Sequence, residues 1–320
     1  MTPVASMQSL VQAYLEERRR LGFSLGISGS QLMAFARFAD QAGHRGPLTS
    51  RIILDWAQGQ ATRATHITWA RRLEILRPFA RYRAQFDPGT EIPDSDTFGR
   101  AHRRITPHIY SDHEIADLLA AAAQLPPQGS LRAATYETLF GLIAAAGLRV
   151  SEALNLRCSD VDLTQGLLTV RQTKFRKSRL LPLHATATAA LARYSAIRKD
   201  YVVSSQPDWY FVSPGGGRLE KRTVHHVFQR LRSALGWTAR GGHAAPRIHD
   251  LRHTFVCRRV QLWHLQGTDI DHAMLALSTY LGHAKVSDTY WYLTGIPDLM
   301  ALAAQRFENF AVKVAEDCDA

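Results

Sequence analysis

The sequence predicts a mainly α protein with one small antiparallel β-sheet, organised as two domains. Three observations carry that expectation: apolar residues recur at helical spacing through the first 86 residues, the same period returns from Ser111 onward, and a single alternating stretch at 167–183 interrupts it. A chain of 320 residues suits two domains of ordinary size, and 46% hydrophobic with 21% charged residues is a globular composition.

In order, Leu10, Tyr14 and Leu21 give one apolar stripe, and Leu32, Phe35 and Phe38 a second. Thr49 or Ser50 can cap a third helix containing Ile53, Leu54 and Trp56. A fourth, from about Thr65 to Phe86, turns Ile67, Leu73, Leu76 and Phe79 inward, and Pro78 should kink or interrupt it. Residues 87–111, rich in Pro, Gly, Asp and Ser without periodicity, have linker composition. The first domain therefore spans 1–105 and the second 106–320. Ser111 and Glu114 fit a capping box ahead of IADLLAAAA. A further helix covers about 131–146, residues 167–183 read as a β-hairpin turning near Phe175 and Arg176, and a short strand lies around Trp209–Val212. The remainder reads as helix.

The formal net charge of +11 points to a polyanionic partner, nucleic acid before a membrane surface. Of the 39 basic residues 33 are Arg, whose planar fork grips phosphate bidentately where Lys acts as a point charge. Residues 1–110 hold 15 Arg, no Lys and nine acidic residues. Arg63, Arg71, Arg72, Arg77, Arg81 and Arg83 lie on the outer faces of the fourth helix, and Arg100, Arg103 and Arg104 follow in the linker, an arrangement suited to the phosphate backbone of DNA. Cys158, Cys257 and Cys318 are widely spaced and odd in number, which predicts reduced thiols and neither a disulfide framework nor a zinc site. No stretch approaches the ~20 uninterrupted apolar residues of a membrane span, and the N-terminus lacks the pattern of a signal peptide. These features predict a cytoplasmic protein.

Four clusters can do chemistry. GLRVSEALNL (147–156) places Arg149 at a helix start with Glu152 three residues on. The hairpin crowds Lys174, Arg176, Lys177 and Arg179 near its tip. RIHDLRHTF (247–255) puts His249 and Arg252 on one helical face. In YLGHAKVSDTYWYL (280–293), Tyr292 follows His283 by nine residues. Taken singly, each reads as a structural salt bridge, a solvated tip, a polar helix face or aromatic packing. Together they supply the parts of phosphoryl transfer: Arg forks for the non-bridging oxygens, a Lys or His to protonate the departing oxygen, and a Tyr hydroxyl able to form a covalent intermediate. A phosphotyrosine stores the bond energy, so rejoining calls for no ATP, and no metal or other cofactor is expected.

The order Arg, Lys, His-x-x-Arg, His, Tyr, with the words GLRVSE, HDLRHTF and LGH, resembles the catalytic signature of the tyrosine recombinase (phage integrase) family. The resemblance covers the whole second domain and implies a helical N-terminal SAM-like core-binding domain followed by an α+β catalytic domain. It further implies that Arg149 and Arg252 bind the scissile phosphate, Lys174 is the general acid for the 5′-oxygen, His249 assists as acid/base, and His283 hydrogen-bonds the phosphate. Glu152 would orient Arg149. Tyr292 would attack, leaving a 3′-phosphotyrosyl bond. Lys177 competes with Lys174, and Tyr290 with Tyr292, although only Tyr292 has the family's spacing from the last His. His253 would be a structural hydrogen-bond partner. Arg176, Lys177 and Arg179 would contact DNA, as would Arg63, Arg71, Arg72, Arg77, Arg81, Arg103 and Arg104. The word TYWYLTGIPDLM is similar to the branch carried on transposons and other mobile elements. An apolar helical stretch at 296–315 implies docking onto a neighbouring protomer in a homo-tetramer on double-stranded DNA, exchanging strands through a Holliday junction on the bacterial nucleoid. A type IB topoisomerase, a non-catalytic DNA-binding accessory factor and a metal-dependent nuclease are the alternatives.

Overall fold

The computed structural model describes residues 6–59, 65–101, 105–171, 178–201 and 208–293, together with Ala304 and Glu308. The chain divides into two compact units, Met1–Arg104 and Ile105–Ala320.

Among its described residues the first unit forms four helices, α1 (Met7–Arg20), α2 (Gly26–Gln41), α3 (Ser50–Gln58) and α4 (His66–Ala84). Their apolar stripes meet in one core of Val11, Leu15, Leu32, Phe35, Ile53, Leu73, Leu76 and Phe79. Edge-on ring pairs, Tyr14 with Phe79 at 5.4 Å and Phe35 with Trp56 at 5.6 Å, tie α1 to α4 and α2 to α3. Thr49 caps α3 by accepting from the Ile52 amide. Two expectations are corrected. Leu21 lies beyond the end of α1 and is 63% exposed, because the chain turns away at Gly22, whose φ of +90° an L side chain rarely adopts. Pro78 does not interrupt α4. Proline removes a single backbone donor, and the buried Leu76, Phe79 and Ala80 hold the backbone on both sides of it.

In the second unit, α5 (Asp112–Ala123) starts at the Ser111–Glu114 capping box, with both reciprocal hydrogen bonds present. It packs on α6 (Leu131–Ala146), whose buried residues include Leu139, Phe140, Leu142 and Ile143. A short helix α7 (Val150–Leu154) leads into a three-stranded antiparallel sheet of β1 (Val161–Asp162), β2 (Leu167–Val170) and β3 (Arg179–Pro182), with Thr169 opposite Leu180. The hairpin is therefore present, and its expected turn lies outside the described residues. Helices α8 (Ala185–Tyr201), α9 (Lys221–Ala234), α10 (Ile248–Leu265), α11 (Ile270–Leu281) and α12 (Ser287–Tyr290) follow. The strand expected at Trp209–Val212 is instead two isolated bridges, Arg157 with Trp209 and Val212 with Arg218. The segment is shared between two partners: Tyr210 N–H donates to the Leu156 carbonyl, and Ser213 N–H turns to that of Gly217.

Candidate active site

Two left-handed glycines place the ends of α6 and α11. Gly147 closes α6 with φ +62°, and a Cβ there would lie 2.4 Å from the Phe255 ring. Gly282 closes α11 with φ +67°, and a Cβ there would lie 2.7 Å from the Arg179 guanidinium. The left-handed conformation disfavours a side chain at both, and at Gly147 the Phe255 ring also leaves no room for one. Arg149 follows the first glycine as N-cap of α7, and His283 follows the second. Arg252 and His253 project from the first turns of α10, which Asp250 caps by accepting from the Arg247 amide.

Glu152, buried, is the hub of the cations. Its carboxylate accepts from the Arg149 amide (3.0 Å) and guanidinium (2.7 Å), and from both Nη1 and Nη2 of Arg179 (3.2 and 3.0 Å), with Arg252 Nη1 3.8 Å away. Burial alone would raise its pKa, but Arg179, the Arg149 amide and Arg252 outweigh burial and hold the carboxyl at about 2. Arg149 and Arg252, 103 positions apart in sequence, both donate to the Leu281 carbonyl, at 3.4 and 2.8 Å. Arg252 also donates to the Gly147 carbonyl (2.6 Å) and is only 1% exposed, with its Nε–H buried and without a partner among the described residues. Arg149 keeps 31% of its side chain exposed.

The aromatic and imidazole rings close the site. Tyr292, buried, lies 4.8 Å from the His253 ring centroid, 5.4 Å from Trp291, and 5.8 Å from His283, stacked with an interplanar angle of 10°. His283 Nε2 is 3.0 Å from Arg252 Nη2, and its Nδ1 is 2.7 Å from the Thr289 hydroxyl. Burial and the Arg252 and Arg149 charges push His283 down to about 4. His249 lies at the surface, its ring 4.9 Å from that of His253. Crowding that withdraws water, followed by Arg252 and Arg247, depresses it likewise to about 4. His253 is buried between His249, Trp291 and Tyr292, which with its cationic neighbours lowers it to about 2. All three imidazoles are thus neutral at neutral pH. By contrast Tyr290 is 40% exposed, and its hydroxyl donates to Asp271 on α11.

The structure therefore brings Arg149, Glu152, Arg252, His283 and Tyr292 together, with His249 at the rim. Lys174, Arg176 and Lys177 lie outside the described residues, as do Arg63, Arg103, Arg104 and nearly all of 296–315. Arg71 and Arg81 are exposed on α4, free to face a polyanion. Arg72 and Arg77 instead spend donors on their own chain, Arg72 on the carbonyls ending α3 and Arg77 on that of Pro93. Arg179, expected to contact DNA, is turned inward: its Nε donates to the Tyr280 carbonyl and its remaining nitrogens to Glu152, leaving 10% of the side chain exposed. The sequence puts it on a basic tip, but the register of β3 carries it to the buried carboxylate. His253 is expected from sequence to be a structural hydrogen-bond partner; its Nδ1 is buried without a partner among the described residues. Thr289 and the Gly147 and Leu281 carbonyls escaped sequence reading. Only Thr289 left a signal there, its helical spacing of three from Tyr292.

The phage integrase family model matches residues 110–295. A Sinorhizobium fredii protein named as an integrase/recombinase (y4rB) is 40% identical over 310 residues, covering 96% of this chain and 98% of the relative. The tyrosine recombinase XerC of Alcanivorax borkumensis is 30% identical over 225 residues, covering 70% of this chain and 68% of the relative. Among solved structures, the Tn1549 transposon integrase in complex with transposon right end DNA shares the fold with a TM-score of 0.67 at 16% identity, covering 94% of this chain and 99% of that one. Fold and site together define a DNA strand-transferring enzyme of the tyrosine recombinase class. The chain belongs to the phage integrase family. Of the alternatives raised by its sequence, the recombinase is the one its relatives support.

The carboxylate hub has a consequence for stability. A folded-state pKa of about 2 lies below the ordinary 4.5 of Glu, so the stabilisation is complete above pH ~4.5 and is lost as pH falls toward 2, roughly 3 kcal/mol in all. Urea unfolding at pH 7 and pH 3 is expected to show about 2 kcal/mol of this loss in the wild type, since pH 3 is still above the folded value, and a weaker pH dependence in Glu152→Gln, which should also be less stable at pH 7. Equal pH dependence in both proteins would remove Glu152 from this role.

Proposed function

We propose that this recombinase cuts each strand at a specific DNA site by attack of the Tyr292 hydroxyl on the scissile phosphate. The products are a 3′-phosphotyrosyl bond and a free 5′-hydroxyl, and the 5′-hydroxyl of the partner strand reverses the step. The observation that carries the reading is the convergence of Arg149 and Arg252 on the Leu281 carbonyl, with His283 bonded to Arg252 and stacked on Tyr292. Two guanidiniums held in place before the reaction can take the charge that grows on the phosphate, without reorganising as it does. Glu152 fixes the Arg149 fork, Lys174 protonates the leaving 5′-oxygen, and His249 assists at the rim. Arg71 and Arg81 of the helical first domain contact the backbone, with Arg63, Arg103, Arg104, Arg176 and Lys177 as further DNA contacts.

The likeness of the fold to a transposon integrase supports a mobile-element role. In this reading a homo-tetramer on two sites exchanges strands through a Holliday junction, in the cytoplasm on the nucleoid. Among the described residues no helix is long and apolar enough to cross a membrane. The test is covalent trapping. Wild-type protein incubated in EDTA with nicked suicide DNA carrying the ends of its element should give a protein–DNA adduct on a denaturing gel. No adduct, with specific binding retained, would mean a binder without this chemistry. For the assembly, deleting residues 296–320 should leave cleavage of a single site intact and impair synapsis, read by gel shift and recombination. Intact recombination by the truncation would sink the helix-docking reading.

A further inference from the structure

The hydrogen bonds around His283 fix more than its position. A guanidinium has no acceptor, so at 3.0 Å from Arg252 Nη2 the His283 Nε2 must be the accepting nitrogen. The single proton of a neutral ring then sits on Nδ1 and is donated to the Thr289 hydroxyl at 2.7 Å. Thr289 is fully buried. In this state His283 has no N–H to offer an anion. A phosphate oxygen seated on Arg252 asks for the reverse, a proton on Nε2. A hydroxyl, unlike an amide N–H or a carbonyl, can serve the ring in either state, accepting from Nδ1–H or donating to a bare Nδ1. Thr289 also lies one turn before Tyr292, whose ring stacks on His283. The charged groups facing the imidazole are Arg252 on α10, Arg149 at the start of α7, Arg179 on β3 and Asp288 on α12.

We propose that Thr289 is the positioning residue that lets His283 change from accepting a hydrogen bond from Arg252 to donating one to the scissile phosphate. On phosphate binding the ring loses its Nδ1 proton to water and takes a proton from water at Nε2, so its charge and that of the solvent are unchanged, and the Thr289 O–H turns to donate to Nδ1. This rests on the proposed function only for the identity of the anion. The free-state hydrogen bonds stand without it.

The test uses the full chain. Imidazole ¹H–¹⁵N correlation spectra of the DNA-free protein, with the His283 signals assigned by their loss in His283→Gln, should show Nδ1 protonated and Nε2 bare. The opposite tautomer in the wild type would overturn the proposal, whatever the variants do. Thr289→Val should lose at least tenfold in single-turnover cleavage of suicide DNA while keeping its melting temperature and DNA affinity, and Thr289→Ser should restore cleavage. Wild-type cleavage by Thr289→Val, or a folded Thr289→Ser as poor as the valine variant, would assign the position to packing and overturn the proposal. Should Thr289→Val not fold, the spectrum and the serine variant decide. A wild type that forms no adduct would instead sink the functional reading, and the spectrum would still decide the tautomer.

Discussion

Tyr292→Phe is expected to abolish the covalent adduct with suicide DNA altogether, while Tyr290→Phe leaves it at wild-type level. Removing one oxygen takes away the nucleophile and keeps the ring, so packing against His253, His283 and Trp291 survives and the variant should bind DNA normally. Tyr290 is the natural control. It stands two residues away and carries the same group, but its hydroxyl is spent on Asp271 at the exposed face of α11 and α12. An adduct that persists in Tyr292→Phe and vanishes in Tyr290→Phe would exchange the two assignments.

The second large effect is expected at Arg149. Arg149→Ala should lower the rate of cleavage by about 10² or more, the usual cost of removing one preorganised donor from a developing charge. Stability and DNA affinity should change little. The physical basis is the difference in burial between the two arginines. Arg149 is partly exposed, and in its absence Glu152 still has Arg179 as a bidentate partner. Arg252 is different. Truncating it would strand the buried Gly147 carbonyl, leave the Leu281 carbonyl only its longer bond from Arg149, and release His283, and an orphaned buried acceptor costs about 1–3 kcal/mol. Loss of activity in Arg252→Ala would therefore mix chemistry with folding, and Arg149 gives the clean measurement. Single-turnover cleavage beside a melting curve is sufficient. Normal cleavage by Arg149→Ala would remove this residue from the phosphate clamp.

Much of this molecule is written in local sequence, because local sequence carries its own physics. The Ser111–Glu114 capping box, the helix at 131–146 and the hairpin of β2 and β3 each follow from side chains a few residues apart, and each is present. The four chemical words could also be ordered along the chain, and within each word the spacing of three puts Arg149 beside Glu152. What a linear pattern does not hold is the destination of a long side chain. Arg179 and Arg72 look in sequence like any other arginines on a basic surface. Only the register of β3 and the end of α3 decide that one serves the Glu152 carboxylate and the other the backbone.

The sequence by itself determined the class of chemistry and the residues able to perform it, since residue type and spacing decide which groups can donate, accept or attack. The tertiary structure alone decided which of them meet. The convergence of Arg149 and Arg252 on one carbonyl depends on contacts 132 and 29 positions apart, closed by two left-handed glycines and by Phe255 against Gly147. The tautomer of His283 and the packing of Tyr292 depend on the same closure, because each is set by a neighbour that only the folded chain brings within hydrogen-bonding distance.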